Sequence, residues 1–150
     1  MTNWAQYRPT DTKFTPNDID PDLCTHLIFA FAAINTTSWE IRAFEWNDET
    51  TEEGAKADPP RLGRYEELNN LKLVNPELKT LLAVGGWNMG TKPFSDMARN
   101  KKHRRAFIDS SVRFLRKWEF DGLDLDWEFP AKRDGSRKED RESFTHLVRV

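Results

Sequence analysis

The sequence predicts an α/β fold on a parallel sheet, and within that class a (β/α)8 TIM barrel of which about the first four β/α units fall within residues 1–150. Three observations predict it. Strand-like and helix-like segments alternate along the whole chain. The strand-like runs are apolar enough to be buried beneath helices. Trp4, Phe31, the pair Trp87-Asn88, and Glu128 all fall at carboxyl ends of these runs, which is where barrels gather functional groups. No G-x-G-x-x-G or P-loop follows any strand, so a nucleotide-binding doubly wound sheet loses its usual support. A complete barrel needs roughly 250 residues, which makes this chain about half of one, truncated at both ends.

The first element is short. Trp4 and Tyr7 lead into Pro9, which reads as the tail of a strand entering a loop. Pro16, Asn17 and Asp18 cap a short helical turn, and Pro21 precedes the apolar run Cys24 to Ile34. Leu27 to Ala33 is apolar on both faces, which predicts a strand buried on both sides. Trp39 to Trp46 alternates apolar and polar residues and reads as an exposed hairpin arm. The acidic segment Asp48 to Arg64, with Gly54, Pro59, Pro60 and Gly63, reads as an inserted loop. From Tyr65 onward, Leu68, Leu71 and Val74 recur at helical spacing, and Asn75-Pro76 ends that helix. Leu78 to Val84 forms the next strand, and Gly85-Gly86 permits a tight exit that leaves Trp87 at its end. Pro93 opens another helical region. Lys101 to Trp118 is an amphipathic helix whose basic residues form a solvated face rather than a nucleic-acid surface. The last strand follows directly, then a charged loop from Lys132 to Asp140, and Phe144, Leu147 and Val148 begin a further helix.

Composition excludes several partners. With 23 basic against 25 acidic side chains there is no global field to call for nucleic acid or an anionic membrane. No run approaches the roughly 18 apolar residues of a membrane helix, and polar Thr2 and Asn3 follow Met1 where a signal core would begin. Cys24 is the single cysteine, so an internal disulfide is impossible and the residue reads as a buried free thiol. Asn35-Thr36-Thr37 matches the N-glycosylation sequon, which has meaning only on a secreted chain.

The chemistry concentrates in FDGLDLDWEFP, Phe120 to Pro130. Single apolar residues separate Asp124, Asp126 and Glu128, and two-residue spacing is the period of a strand. The three carboxylates therefore share one face, and Leu123, Leu125 and Trp127 take the other. Acids stacked about 7 Å apart repel, and in a partly dry site at least one holds a proton at neutral pH. A metal site fits poorly: a calcium loop needs glycine at its sixth position and turn-forming spacers, where this chain has Phe129, Leu125 and Trp127. A solvated strand edge fits poorly as well, because the opposite face demands burial. Acid catalysis, with one carboxyl kept protonated by its neighbours, explains most. Trp4, Tyr7, Phe31 and Trp87 at strand ends would supply flat apolar walls suited to sugar rings, which points to a glycosidase. Acids on one strand do not obviously span a sugar ring, so a mechanism in which the substrate supplies its own nucleophile is favoured.

These residues resemble a known family. FDGLDLDWEFP resembles the D-x-x-D-x-D-x-E signature of the family 18 chitinases, carried here by Asp121, Asp124, Asp126 and Glu128. LLAVGGWN, Leu81 to Asn88, is similar to the family's third-strand signature, with Ala83 where serine is frequent. TNWAQYRP and CTHLIFAFA are similar to its first two strands, and the type is that of the secreted animal chitotriosidases. The resemblance implies that Glu128 is the general acid, that Asp126 orients the N-acetyl group whose oxygen attacks the anomeric carbon, and that Asp124 shares a proton with Asp126. It implies a structural role for Asp121 and sugar subsites lined by Trp4, Tyr7, Phe31, Gly86, Trp87 and Asn88. It also implies hydrolysis of β-1,4-linked N-acetylglucosamine polymers with retention, and an extracellular location. The expected partner is chitin or chito-oligosaccharides, with no cofactor, no metal and no obligate protein partner. By resemblance Cys24 would pair with a cysteine upstream of Met1, and half of the cleft would lie beyond Val150. The other reading is a non-catalytic chitin-binding lectin of the same fold, which the presence of Glu128 disfavours.

Overall fold

The computed structural model describes residues 1–149, and at its centre stands a four-stranded sheet in the order β2-β1-β3-β4. β1 spans His26–Ile34, β2 Ile41–Ala43, β3 Lys79–Gly85 and β4 Gly122–Asp126. The strands β1, β3 and β4 run parallel, while β2 returns antiparallel along β1. A further parallel lane begins at the amino end, where Thr2 bridges to Ala30 and the Ala30 N–H donates to the Met1 carbonyl at 2.8 Å. The chain then coils at once into a 3-10 turn, Asn3–Tyr7, so Trp4 stands on a turn rather than in a strand. Only two more 3-10 turns, Thr10–Thr12 and Pro16–Asp18, precede β1. Pro9, Pro16 and Pro21 explain this, since each removes a backbone donor that a helix there would need.

Helices bridge the later parallel steps. Between β1 and β3 lie α1 (Glu52–Ala55) and α2 (Arg64–Asn69), the latter extended by a 3-10 turn at Asn70–Leu73. Between β3 and β4 lie α3 (Lys92–Arg99) and α4 (Lys101–Lys117), and α5 (Asp140–Val148) follows β4. Asn100 separates α3 from α4 because its side-chain oxygen accepts the N–H groups of Lys102 and His103, at 2.9 and 3.3 Å, and caps the second helix.

Strand register decides which residues meet the helices. Phe29 aligns with Leu82, and Leu82 with Leu123, and this row joins the core with Tyr65, Leu68, Phe94, Met97, Phe107 and Trp118. Tyr65 is the hub, with the rings of Phe29, Phe120 and Phe114 meeting it edge-on at 5.1, 5.4 and 5.8 Å. The alternate row, Ile28, Ala30, Leu81, Ala83 and Asp124, looks the other way. Because the core helices gather against the first row, β1 is buried on both sides only at its carboxyl end, at Ala32, Ala33 and Ile34, while towards its amino end Ile28 is 40% exposed.

Three other expectations change. The Trp39–Trp46 arm does form a hairpin with β1, but it is exposed on one side only, where Arg42, Phe44 and Trp46 lie open. Ile41 is buried and its N–H donates to Ser110 of α4 at 3.1 Å, while the Trp39 ring stacks on His103 at 4.3 Å. Cys24 is exposed rather than buried, because it precedes β1 in an open turn. The Asp48–Arg64 loop contains the helical turn α1 and is tied into the core at its first residue. Asp48 has no exposed surface; its Oδ2 accepts the Glu45 N–H at 2.8 Å and the Asn3 amide at 3.4 Å, and Oδ1 is left unpaired.

Burial pushes the Asp48 carboxyl up to about 6, outweighing the Glu45 N–H and Asn3 amide that favour the charged form. The folded state therefore binds this proton more tightly than the unfolded chain does, whose carboxyl titrates near 3.9. Stability from this group is complete below about pH 4 and is lost as pH rises through about 6, by roughly 3 kcal/mol. Asp48→Asn cannot ionise and still offers one oxygen to Glu45 and Asn3. Urea melts of the two proteins should diverge between pH 4 and 6, with only the parent losing stability.

Candidate active site

The acids occupy β4 and the bend that follows it. Asp124 and Asp126 alternate on the strand face away from the helical core, opposite Ala83 and Gly85 of β3, and Glu128 stands two residues past the strand end. On the core side Trp127 anchors the strand end: its indole N–H donates to the Thr91 hydroxyl, and its ring stacks on Phe94 at 5.2 Å and meets Phe144 edge-on at 6.0 Å. Buried Trp127 and half-buried Leu125, between the acids, thus hold the strand while Asp124 and Asp126 face away from the core.

Two glycines let β3 close onto this strand. The Gly86 N–H donates to the Asp126 carbonyl at 2.9 Å. Gly85 has φ of +119°, and a Cβ there would lie 2.2 Å from the same carbonyl. A Cβ on Gly86 would lie 2.6 Å from the Phe31 ring. Phe31 comes this close because the β1–β3 register shifts between Ala30 and Ala32, which makes Phe31 the extra residue of a bulge. Its ring stacks on Trp4 at 5.8 Å with planes 21° apart. Trp4, Phe31, Gly86 and Asp126 therefore follow one another in contact across the sheet end.

Trp87 and Glu128 are joined from another side. The Arg133 guanidinium lies 3.8 Å over the Trp87 ring and donates to the carbonyls of Trp87 at 2.9 Å and Glu128 at 3.2 Å. A cation over an exposed indole contributes about 0.5–1 kcal/mol. It occupies one face of Trp87, which is 60% exposed, and leaves the other for a flat partner. Asn88 is exposed beside Trp87 on the 3-10 turn Trp87–Met89. Tyr7 lies on the Trp4 turn and donates its hydroxyl to Glu45 at 2.9 Å, so it is engaged with the Phe44–Asp48 turn rather than with the acids. That turn also holds the Trp4 segment through Gln6, whose amide oxygen accepts from Asn47 at 2.7 Å and from Arg64 at 3.3 Å.

The charge pattern is uneven. The Asp126 carboxyl is pushed up by burial first, then by the charges of Glu128 and Asp124. These effects favour its protonated form. Asp121, at the amino end of β4, behaves oppositely. Burial lifts it, but the Thr80 N–H at 2.8 Å and Lys72 at 3.1 Å outweigh that and hold its carboxyl below the usual range. It ties β3 to β4 far from the open strand end. Among the described residues no group of three His, Cys, Asp or Glu side chains is arranged to hold a metal ion. A cavity of about 670 Å³ lies elsewhere, under the loop carrying Trp46, Glu49, Arg61 and Glu67, and no acid of β4 lines it. The site is placed by its carboxylates and not by concavity.

Sequence reasoning missed Arg133, which it left in a charged loop. No local signal marks it, because its partners are a ring 46 residues away and a backbone carbonyl.

Comparison with known proteins bears on the whole chain. The family model described as glycosyl hydrolases family 18 matches residues 1–150. Mouse chitotriosidase-1 is 49% identical over 99% of this chain and 28% of its own length. Across the first curated relatives the chain spans between 20% and 29% of their lengths. Among solved structures, the Ostrinia furnacalis Group IV chitinase in complex with allosamidin is 41% identical with a TM-score of 0.80, over 96% of this chain and 36% of that one. Human YKL-39, a pseudo-chitinase with retained chitooligosaccharide binding properties, is 37% identical with a TM-score of 0.75, over 98% of this chain and 35% of that one. The sheet and its helices are part of a (β/α)8 barrel.

Proposed function

Because the chain belongs to glycosyl hydrolases family 18, we propose that it is the acid-bearing part of an enzyme that hydrolyses β-1,4-linked N-acetylglucosamine polymers with retention. The observation that carries the reading is the carboxylate row on the open face of β4, with Asp126 driven towards its protonated form by burial and by the acids on either side.

On this reading each acid takes one role. Glu128, past the strand end, gives its proton to the glycosidic oxygen as that oxygen's bond to C1 breaks. The carbonyl oxygen of the substrate's own N-acetyl group forms a new bond to C1, closing an oxazolinium ring. Asp126 faces the acetamido N–H and orients it, and the proton it shares with Asp124 sets how much negative charge meets the ring as it becomes positive. Water then opens the ring at C1 and returns a proton to Glu128, so that two inversions leave the anomeric configuration retained. Trp4, Phe31 and the open face of Trp87 offer flat surfaces to sugar rings. Gly86 and Asn88 complete the lining, with Tyr7, held by Glu45, on the same turn as Trp4. The enzyme acts outside the cell, where a polymer too large to be imported is met. No helix among the described residues is long and apolar enough to cross a membrane.

Hydrolysis of a chito-oligosaccharide by the full-length protein, followed by proton NMR during the first minutes, tests this. The β-anomer should form first. First formation of the α-anomer would rule out attack by the N-acetyl oxygen, and tight binding without cleavage would make the protein a lectin.

A further inference from the structure

The turn between β1 and β2 is built around one side chain that the acid chemistry does not use. Asn35 follows the last residue of β1, and its backbone closes the turn: its N–H donates to the Glu40 carbonyl and its carbonyl accepts the Trp39 N–H, both at 2.8 Å. Its side-chain oxygen turns inward and accepts the N–H groups of Thr37 at 2.9 Å and Ser38 at 3.2 Å. The amide nitrogen is left over. Among the described residues the buried side-chain atoms without a partner are Asn3 Oδ1, Asp48 Oδ1 and Ser111 Oγ. Asn35 Nδ2 is not one of them, and among the described residues it finds no hydrogen-bond partner, so it opens to solvent. Thr36, Thr37 and Ser38 are all exposed.

We propose that Asn35 Nδ2 is an N-glycosylation site, so that a glycan stands on the β1–β2 turn at the carboxyl end of the sheet. The tripeptide Asn35-Thr36-Thr37 alone marks an acceptor sequence. The geometry adds that oxygen and nitrogen of the same amide have separate tasks. Transfer forms a bond from Nδ2 to the anomeric carbon of an oligosaccharide carried on a polyisoprenyl diphosphate. The bond from that carbon to the diphosphate oxygen breaks, the lipid diphosphate leaves, and Nδ2 loses one proton. The amide carbonyl is retained, so the two hydrogen bonds that shape the turn survive the modification. Asn35 lies four residues beyond Phe31 on the same strand end, which puts the glycan at the rim of the acid-bearing face, beside the edge strand β2. A hydrated glycan there would also blunt that edge against pairing with another chain.

The inference rests on the extracellular reading above, and the test separates the two. The full-length protein is sent through the secretory route of a eukaryotic cell behind a cleavable leader, and the secreted product is digested and analysed by glycopeptide mass spectrometry. The parent should carry a peptide-N-glycosidase-sensitive oligosaccharide on Asn35. Thr37→Ser should keep it, and Thr37→Ala should lose it while leaving the Asn35 turn in place. Secreted parent protein with bare Asn35 overturns the proposal, as does a Thr37→Ala variant still modified there. Fractionation of cells that express the protein from its own gene tests location alone, and intracellular retention would overturn the extracellular reading without bearing on the acceptor.

Discussion

Replacing Glu128 by Gln in the full-length protein should lower kcat on chito-oligosaccharides by about 10²- to 10⁴-fold, the range supplied by a positioned general acid. Gln has the shape of Glu but carries no proton to give at any pH. The change also leaves the backbone carbonyl that Arg133 holds at 3.2 Å, so the Trp87 platform stays in place. Loss should therefore fall on kcat and not on KM, as expected when an interaction made only in the transition state is removed. A variant that retains kcat within about threefold of the parent would show that the proton comes from elsewhere, since this is far below the loss of a general acid.

Gly85→Ala should destabilise the fold by about 2–6 kcal/mol. Two costs add. The φ of +119° lies where side chains are rarely accommodated, at about 1–3 kcal/mol. The new methyl would also meet the Asp126 carbonyl at 2.2 Å and the Phe94 ring at 2.8 Å, and overpacking of this kind costs about 1–3 kcal/mol. The carbonyl cannot swing aside, because it belongs to the acid strand and accepts the Gly86 N–H. Relief has to come from parting β3 and β4 where Asp126 sits, so activity should fall further than stability alone requires. Gly90→Ala is the control. Its φ of +70° carries the backbone cost, but a Cβ there meets nothing within 4 Å. Urea melts of both variants separate strain from contact, and equal losses would show that the approach to Asp126 is unimportant.

Both effects act on residues whose importance is readable to different degrees from the chain alone. The alternation of Asp124, Asp126 and Glu128 with Leu123, Leu125 and Trp127 is a local property of an extended backbone, and within β4 the structure puts Asp124 and Asp126 on the face opposite Leu123 and Leu125. Gly85-Gly86 reads as a tight exit, and both have positive φ. Helices such as α4 are legible from spacing, as are boundaries that prolines impose, whereas the cap by Asn100 comes from the structure. The Trp39–Trp46 arm is legible as a hairpin, but the burial of Ile41 within it is not, because Ser110 and His103, which hold the arm, come from a helix some 70 residues later.

What the order of residues settles is whatever depends on near neighbours: a carboxylate row at strand period, the sites of turns, and a signature that specifies a family. Packing settles the remainder. It selects the open face of β1, lifts Phe31 onto a bulge against Trp4 and Gly86, buries Asp48 within an acidic loop, and lays Arg133 on Trp87. Each of these joins groups far apart along the chain, and their energies exist only once the sheet has brought the partners within a few ångströms.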